Sequence, residues 1–119
     1  MLLKNRRLWS RMGYAWAGLR AAWGRERSLR VQVWIALTLL PLLLWLRPAP
    51  LWWALIGVMA SLVLAAELIN TALEHLADHL HPELHPRIKF VKDCAAAAVL
   101  LLSVGALWVA AWMVADTLG

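Results

Sequence analysis

Glu67, Asn70, Glu74 and Asp78 follow one another at offsets of three, four and four residues inside an otherwise apolar stretch. On an α-helix those offsets put all four on one face. Residues 51–66 (LWWALIGVMASLVLAA) carry no charge, so the segment reads as entering lipid and bringing carboxylates with it. A charged group at membrane depth costs about 2.5 kcal/mol or more, and normally faces a protein interior or a wet cavity. Carboxylates beside an amide, with few competing cations, favour Mg²⁺, a hard ion that prefers oxygen and is usually shared with phosphates. Glu67, the deepest, lies about 24 Å along the helix from Leu51 and is the candidate general base. Phosphoryl transfer asks for positioning, charge neutralisation and a group to take the nucleophile's proton. The ladder can supply each. There is no GxxxxGK[ST], no Gly-rich loop and no HRD or DFG set, so a kinase built on these residues is not of a soluble type.

The elements that must position the ladder follow from hydropathy. The 119 residues are 63% hydrophobic and 16% charged, with nine tryptophans, too apolar for a soluble domain of this length. The predicted fold class is an all-α membrane protein in one domain, 1–119. An amphipathic interfacial helix covers 5–27, and transmembrane helices cover 28–47, 51–80 and 93–117. A span needs roughly 20 residues, so the first borrows a turn from Arg27–Arg30, whose long side chains can reach the headgroups. Arg47–Pro50 (RPAP) is a tight turn, because Pro48 and Pro50 resist helix. Pro41 is tolerated inside the first span as a possible kink. Two prolines in HPELHP (81–86) break the second helix, and Asp93 is expected to cap the third.

A net charge of +5 raises the question of nucleic acid, but its placement points to a membrane. Lys4, Arg6, Arg7, Arg11, Arg20, Arg25, Arg27 and Arg30 lie before the first span, and Arg87, Lys89 and Lys92 lie between the second and third. Only Arg47 sits in the other connection. By the positive-inside rule the N-terminus and the 78–92 loop are cytoplasmic. No signal-peptide pattern is evident, and insertion of the whole chain is expected. The lone Cys94 excludes an internal disulfide.

Trp9, Trp16 and Trp23 recur every seven residues, nearly on one helical face, with arginines on the rest. That pattern suits a helix lying in the membrane interface. Trp45, Trp52 and Trp53, and Trp108 and Trp112, form aromatic belts. His75 and His79 have an i, i+4 spacing, but no third zinc ligand or zincin glutamate accompanies them. Asp78 has a plainer role open to it, pairing with a nearby arginine. A transporter would want ionisable groups along a whole path, whereas the first span has none from Val31 to Leu46 and the third has none from Cys94 to Ala115. A structural subunit would leave the depth grading of the ladder and its meeting with Lys92 and Asp93 without a reason.

At these residues the chain resembles the small prokaryotic membrane diacylglycerol kinase family. AELINTALEHLADHLHPELHPRIKFVKDCAAAAVL is similar to its signature, E-x-x-N-[ST]-A-x-E-x-x-x-D, then E-x-H, then K-D-x-x-x-A-A-V, and GYAWAGLRAAW followed by Glu26 is similar to its N-terminal helix. The resemblance implies a homotrimer in the bacterial inner membrane, with composite sites fed by ATP and Mg²⁺ from the cytoplasm. It implies a transferase that phosphorylates the primary hydroxyl of a lipid. Glu67 falls on the general base, and Glu26 and Glu74 on the metal-binding carboxylates. Those two, with Arg7, Tyr14, Asn70, Glu83, Leu84, His85, Lys92 and Asp93, fall where the nucleotide is held. Arg20, Ala21, Ala22, Trp23, Ser28, Leu29, Arg30, Val31, Gln32 and Trp45, with Glu67, fall where the lipid is held.

The acceptor divides the signals. Gram-negative members are expected to read E-A-A-F-R-Q-E where this chain reads Glu26-Arg-Ser-Leu-Arg-Val-Gln. The final Gln32 looks more like relatives that phosphorylate undecaprenol, while GLRAAW favours diacylglycerol. Ser28, Arg30 and Gln32 are polar enough to engage glyceride esters, which makes diacylglycerol, yielding phosphatidic acid, the expected acceptor and undecaprenol the alternative.

Overall fold

Proline and one extended glutamate cut the chain into helices. The computed structural model describes residues 2–119, with side chains from Arg7 onward. It contains α1 (Leu2–Arg25), α2 (Arg27–Leu46), α3 (Pro50–Leu80) and α4 (Pro86–Leu118). The side chains of Lys4 and Arg6, counted above among the basic residues, lie outside the described residues.

Glu26 alone separates α1 from α2. Its backbone is extended, at φ −110° and ψ 110°, and its N–H still bonds to the carbonyl of Ala22 at 2.8 Å. The sequence places Glu26 at the end of the N-terminal helix, whereas here it is the N-cap residue of α2. At the other end of α2, Arg47 adopts a left-handed conformation, φ 51°, which costs a non-glycine residue about 1–2 kcal/mol. Pro48 then prevents the helix from continuing, and Pro50 supplies the preset φ of a first helical position.

The start of the last helix differs from expectation. Residue 93 was expected to cap it, but α4 begins at Pro86 and is capped by His85, whose Nδ1 accepts from the backbone N–H of Arg87 at 3.1 Å. The cause is the second proline of HPELHP. It forces His85 into extended backbone, φ −137° and ψ 136°, and itself opens the helix. Asp93 is consequently inside α4 and pairs with Lys89, one turn earlier, at 2.6 Å.

Three helices, α2, α3 and α4, are long and apolar enough to cross a membrane. The 20 residues of α2 match the roughly 30 Å hydrocarbon thickness, while α3 and α4, with 31 and 33, exceed it by about 15–20 Å. The short link 47–49 holds α2 and α3 level at one end, so the excess projects at the other, where the polar ladder lies. Both α2 and α4 pack against α3. The apolar core sits toward the Arg47 end. Leu43, Ile56 and Met113 are buried, with Leu39, Leu46, Trp52 and Val109 packed around them. Trp52 Nε1 donates to Asp116 Oδ2 at 2.9 Å. Farther along, a Cβ on Gly105 would stand 3.2 Å from Met59 Cε, so this glycine lets α4 approach α3 closely.

Candidate functional site

Glu67 is the charged residue buried among the described side chains, at 4% exposure. Its own chain covers it. The cover comes from the first turn of α2. The hydroxyl of Ser28 donates to Glu67 Oε2 at 3.1 Å, and Leu29 beside it is buried.

One and two turns toward the loop, the amide of Asn70 donates through Nδ2 to Glu74 Oε1 at 3.1 Å. The Oδ1 of Asn70 is buried and has no hydrogen-bond partner. A sealed, partnerless acceptor costs about 1–3 kcal/mol, so this oxygen has unused capacity to accept from a donor or a cation. Glu26 reaches α3 independently, its Oε1 lying 3.1 Å from His75 Nε2. Asp78 pairs with Lys92 of α4, not with an arginine. The α1–α2 junction is fastened by Arg30, whose Nη1 donates to the carbonyl of Trp23 at 2.6 Å.

The first turn of α2 thus meets α3 at Glu67 and His75, while Asn70, tied to Glu74, borders a space lined by Ala95 and Ala98 of α4. A second group gathers at the loop. Glu83, Leu84, His85, Lys92 and Asp93 line one cavity of about 290 Å³ together with Asp78. A third feature is a cavity of about 550 Å³ between α1, α2 and α3, lined by Trp16, Arg20, Trp23, Leu29, Val33 and Leu64. A neighbouring space of about 530 Å³ is lined by Ala21, Ala22, Arg25, Thr71 and His75, among others. Leu64 and Leu68, which flank Glu67 on α3, face the larger cavity, while Glu67 turns to α2.

Some expected members stand apart. Trp45 is 75% exposed and lies about 25 Å along α2 from Ser28. Arg7 and Tyr14 lie on exposed positions of α1, Val31 is exposed on α2, and Gln32 borders a small pocket of about 70 Å³ against Ile56 and Val63. The two contacts sequence reasoning missed are Ser28 to Glu67 and His75 to Glu26.

Among the described residues, no three His, Cys, Asp or Glu side chains cluster as a metal cage. That donor set still fits Mg²⁺, which is commonly held by one or two carboxylates with phosphate and water oxygens completing its shell. Glu74, with the unpartnered Asn70 Oδ1 beside it, offers hard oxygen donors of the right kind.

Three membrane-length helices hold a buried carboxylate and an oxygen-rich cluster toward one end, and comparison with known proteins makes the class a membrane lipid kinase. Residues 13–114 match the family described as prokaryotic diacylglycerol kinase. A diacylglycerol kinase of Escherichia coli K12 is 34% identical over 89 residues, covering 75% of this chain and 73% of that protein. One from Helicobacter pylori is 35% identical over 96 residues, covering 81% and 75%. One from Synechocystis is 34% identical over 94 residues, which cover 78% of this chain but only 54% of that longer protein. The chain belongs to the prokaryotic diacylglycerol kinase family, and is a bacterial membrane protein by its relatives and its three apolar helices.

Proposed function

We propose that this chain transfers the γ-phosphoryl group of ATP to the primary hydroxyl of diacylglycerol, giving phosphatidic acid and ADP. The observation that carries the reading is the buried carboxylate of Glu67 one turn from the Asn70–Glu74 pair. A proton acceptor stands at lipid depth, and metal-compatible oxygens stand nearer the water. Glu67 takes the proton of the lipid hydroxyl as its oxygen attacks phosphorus. Glu26 and Glu74 would hold Mg²⁺, which when bound neutralises phosphate charge. Arg7, Tyr14, Asn70, Glu83, Leu84, His85, Lys92 and Asp93 serve the nucleotide. The cavity lined by Arg20, Trp23 and Leu29 is the place for the lipid, its apolar walls suited to acyl chains. The working unit is a homotrimer in the inner membrane, with α1 along the interface and the N-terminus in the cytoplasm, in keeping with the arginines of 1–30.

Diacylglycerol is preferred over undecaprenol as acceptor, supported by the activity named for the E. coli and H. pylori relatives and by GLRAAW. The test is lipid-dependent ADP formation by purified protein in mixed micelles, with each lipid alone and with Mg²⁺ present or chelated. The expected result is a higher kcat/KM for diacylglycerol and no turnover without Mg²⁺. A clear preference for undecaprenol overturns the acceptor, and lipid-independent ATP consumption overturns the lipid-kinase reading.

A further inference from the structure

The hydroxyl of Ser28 has one proton to donate, and the structure commits it to Glu67 Oε2 at 3.1 Å. It cannot also donate to an ester carbonyl, which is itself only an acceptor. Arg30 is likewise partly engaged, on the carbonyl of Trp23. Of the three side chains that the sequence offers for glyceride recognition, Ser28 is thus the one whose donor is taken by the carboxylate itself.

Glu67 Oε1 differs from Oε2. It takes no hydrogen bond from the described residues, and it is not among the sealed, partnerless polar atoms of the chain. One oxygen is tied and the other has no bond from the described residues. A glutamate side chain has three rotatable bonds, so an untied carboxylate would spread over several orientations. A fixed Oε2 narrows where Oε1 can point, and holding a base in a productive geometry is a large part of its effect.

The anchor itself is well held. Ser28 is the second residue of α2, two positions after Glu26, which touches α3 through His75 at 3.1 Å. Leu29 is 3% exposed, and Arg30 binds back to α1. Three consecutive residues therefore fix the first turn of α2 against both neighbours, and the hydroxyl of Ser28 is delivered by a helix that cannot easily rotate.

We propose that Ser28 is a positioning residue for the phosphorylation step, pinning Glu67 Oε2 so that Oε1 receives the proton of the lipid hydroxyl. This rests on the reading of Glu67 as the general base. In the step, the lipid hydroxyl oxygen forms a bond to the γ-phosphorus of ATP. The bond from that phosphorus to the β–γ bridging oxygen breaks, its electron pair leaves with ADP, and the hydroxyl proton goes to Oε1. Ser28 keeps its own proton throughout.

The experiment measures kcat and both KM values in mixed micelles for Ser28→Ala, Ser28→Cys and Ser28→Thr, and for Ser28→Ala combined with Glu67→Gln. Loss of a hydrogen bond to a charged group lowers kcat about 10-fold or more in Ser28→Ala, with KM for lipid and Mg·ATP within about twofold. Ser28→Thr, which keeps the hydroxyl, retains kcat near the parent, and Ser28→Cys, a weak donor, falls between. On the Glu67→Gln background, Ser28→Ala costs little more, because the two act as one unit. A raised lipid KM with unchanged kcat overturns the proposal and assigns Ser28 to lipid binding. Should Ser28→Ala not assemble, a kcat flat across Ser, Thr and Cys overturns it equally. Failure of the underlying reading shows separately, as full activity of Glu67→Gln alone.

Discussion

Replacing Glu67 by glutamine is the cleanest way to ask whether this carboxylate takes a proton. The two side chains are nearly equal in size, which matters at 4% exposure, where a truncation would leave a cavity. The hydroxyl of Ser28, now 3.1 Å from Oε2, can still donate to the amide oxygen, so the tie between α2 and α3 survives. What disappears is the capacity to accept a proton. General-base catalysis contributes about 10²- to 10⁴-fold, or about 3–5 kcal/mol of barrier at 1.36 kcal/mol per decade. We therefore expect kcat to fall at least about 100-fold, with the KM for Mg·ATP and the assembly state little changed. Turnover is read as ADP release at saturating lipid and nucleotide, and integrity by size-exclusion in detergent. A kcat within about tenfold of the parent enzyme would refute the assignment, since no positioned base is worth so little. Glu67→Asp separates reach from charge. It keeps the proton-accepting group but withdraws it by one methylene from Ser28, and it too should lose most of its turnover.

Glu74→Gln retains the partner of Asn70 Nδ2 but removes a charge, and Glu26→Gln does the same opposite His75. Each should weaken ATP-dependent Mg²⁺ binding at least about tenfold, measured by titration of Mg·ATP, and an unchanged titration makes that carboxylate structural. Assembly is tested by mixing protomers. The family resemblance implies composite sites, but Ser28 and Glu67 meet within one chain and Glu26 lies two residues from Ser28, so trimers mixed from Glu67→Gln and Glu26→Ala chains should regain no activity. Recovery in verified mixed trimers would show that Glu26 serves a neighbour's Glu67.

Local periodicity made the ladder and the three spans legible, because a face repeating every three or four residues and a run of apolar residues are both properties of one segment. The start of α4 was legible in principle and misread. Pro86 is as good an opening residue as any, but Asp93 has the familiar chemistry of a cap, and the pre-proline extension of His85 outweighed it. Contacts between helices were not legible. Ser28 and Glu67 are 39 residues apart and Glu26 and His75 are 49 apart, and nothing in either segment names the other. The shielding of Glu67 by Ser28 and Leu29 is of the same kind, a contact across the interface. Trp45, placed with the lipid set by likeness of sequence, lies at the far end of α2 from Ser28, a separation that only the helix length reveals.

The two ends of the bundle are held by different forces, and the difference bears on catalysis. Acyl chains are as apolar as the side chains they would replace, so helices in lipid associate through close fit and interhelical hydrogen bonds rather than through apolar burial. At the Arg47 end, fit predominates. Met113 is 1% exposed between Leu43 and Ile56, and Trp52 and Asp116 add one polar tie. At the loop end the ties are polar and run between helices: Ser28 to Glu67, Glu26 to His75, and Lys92 to Asp78. The groups proposed to react are thus also the groups that hold the helices. An ion taken by Glu26 Oε1 would displace His75 from that oxygen, and a nucleotide drawn to Lys92 would compete with Asp78. Ser28 and Glu67 are then the tie that remains between α2 and α3 at this end. It survives because the reaction uses the other oxygen of the carboxylate, so the base keeps its place while its neighbours change partners.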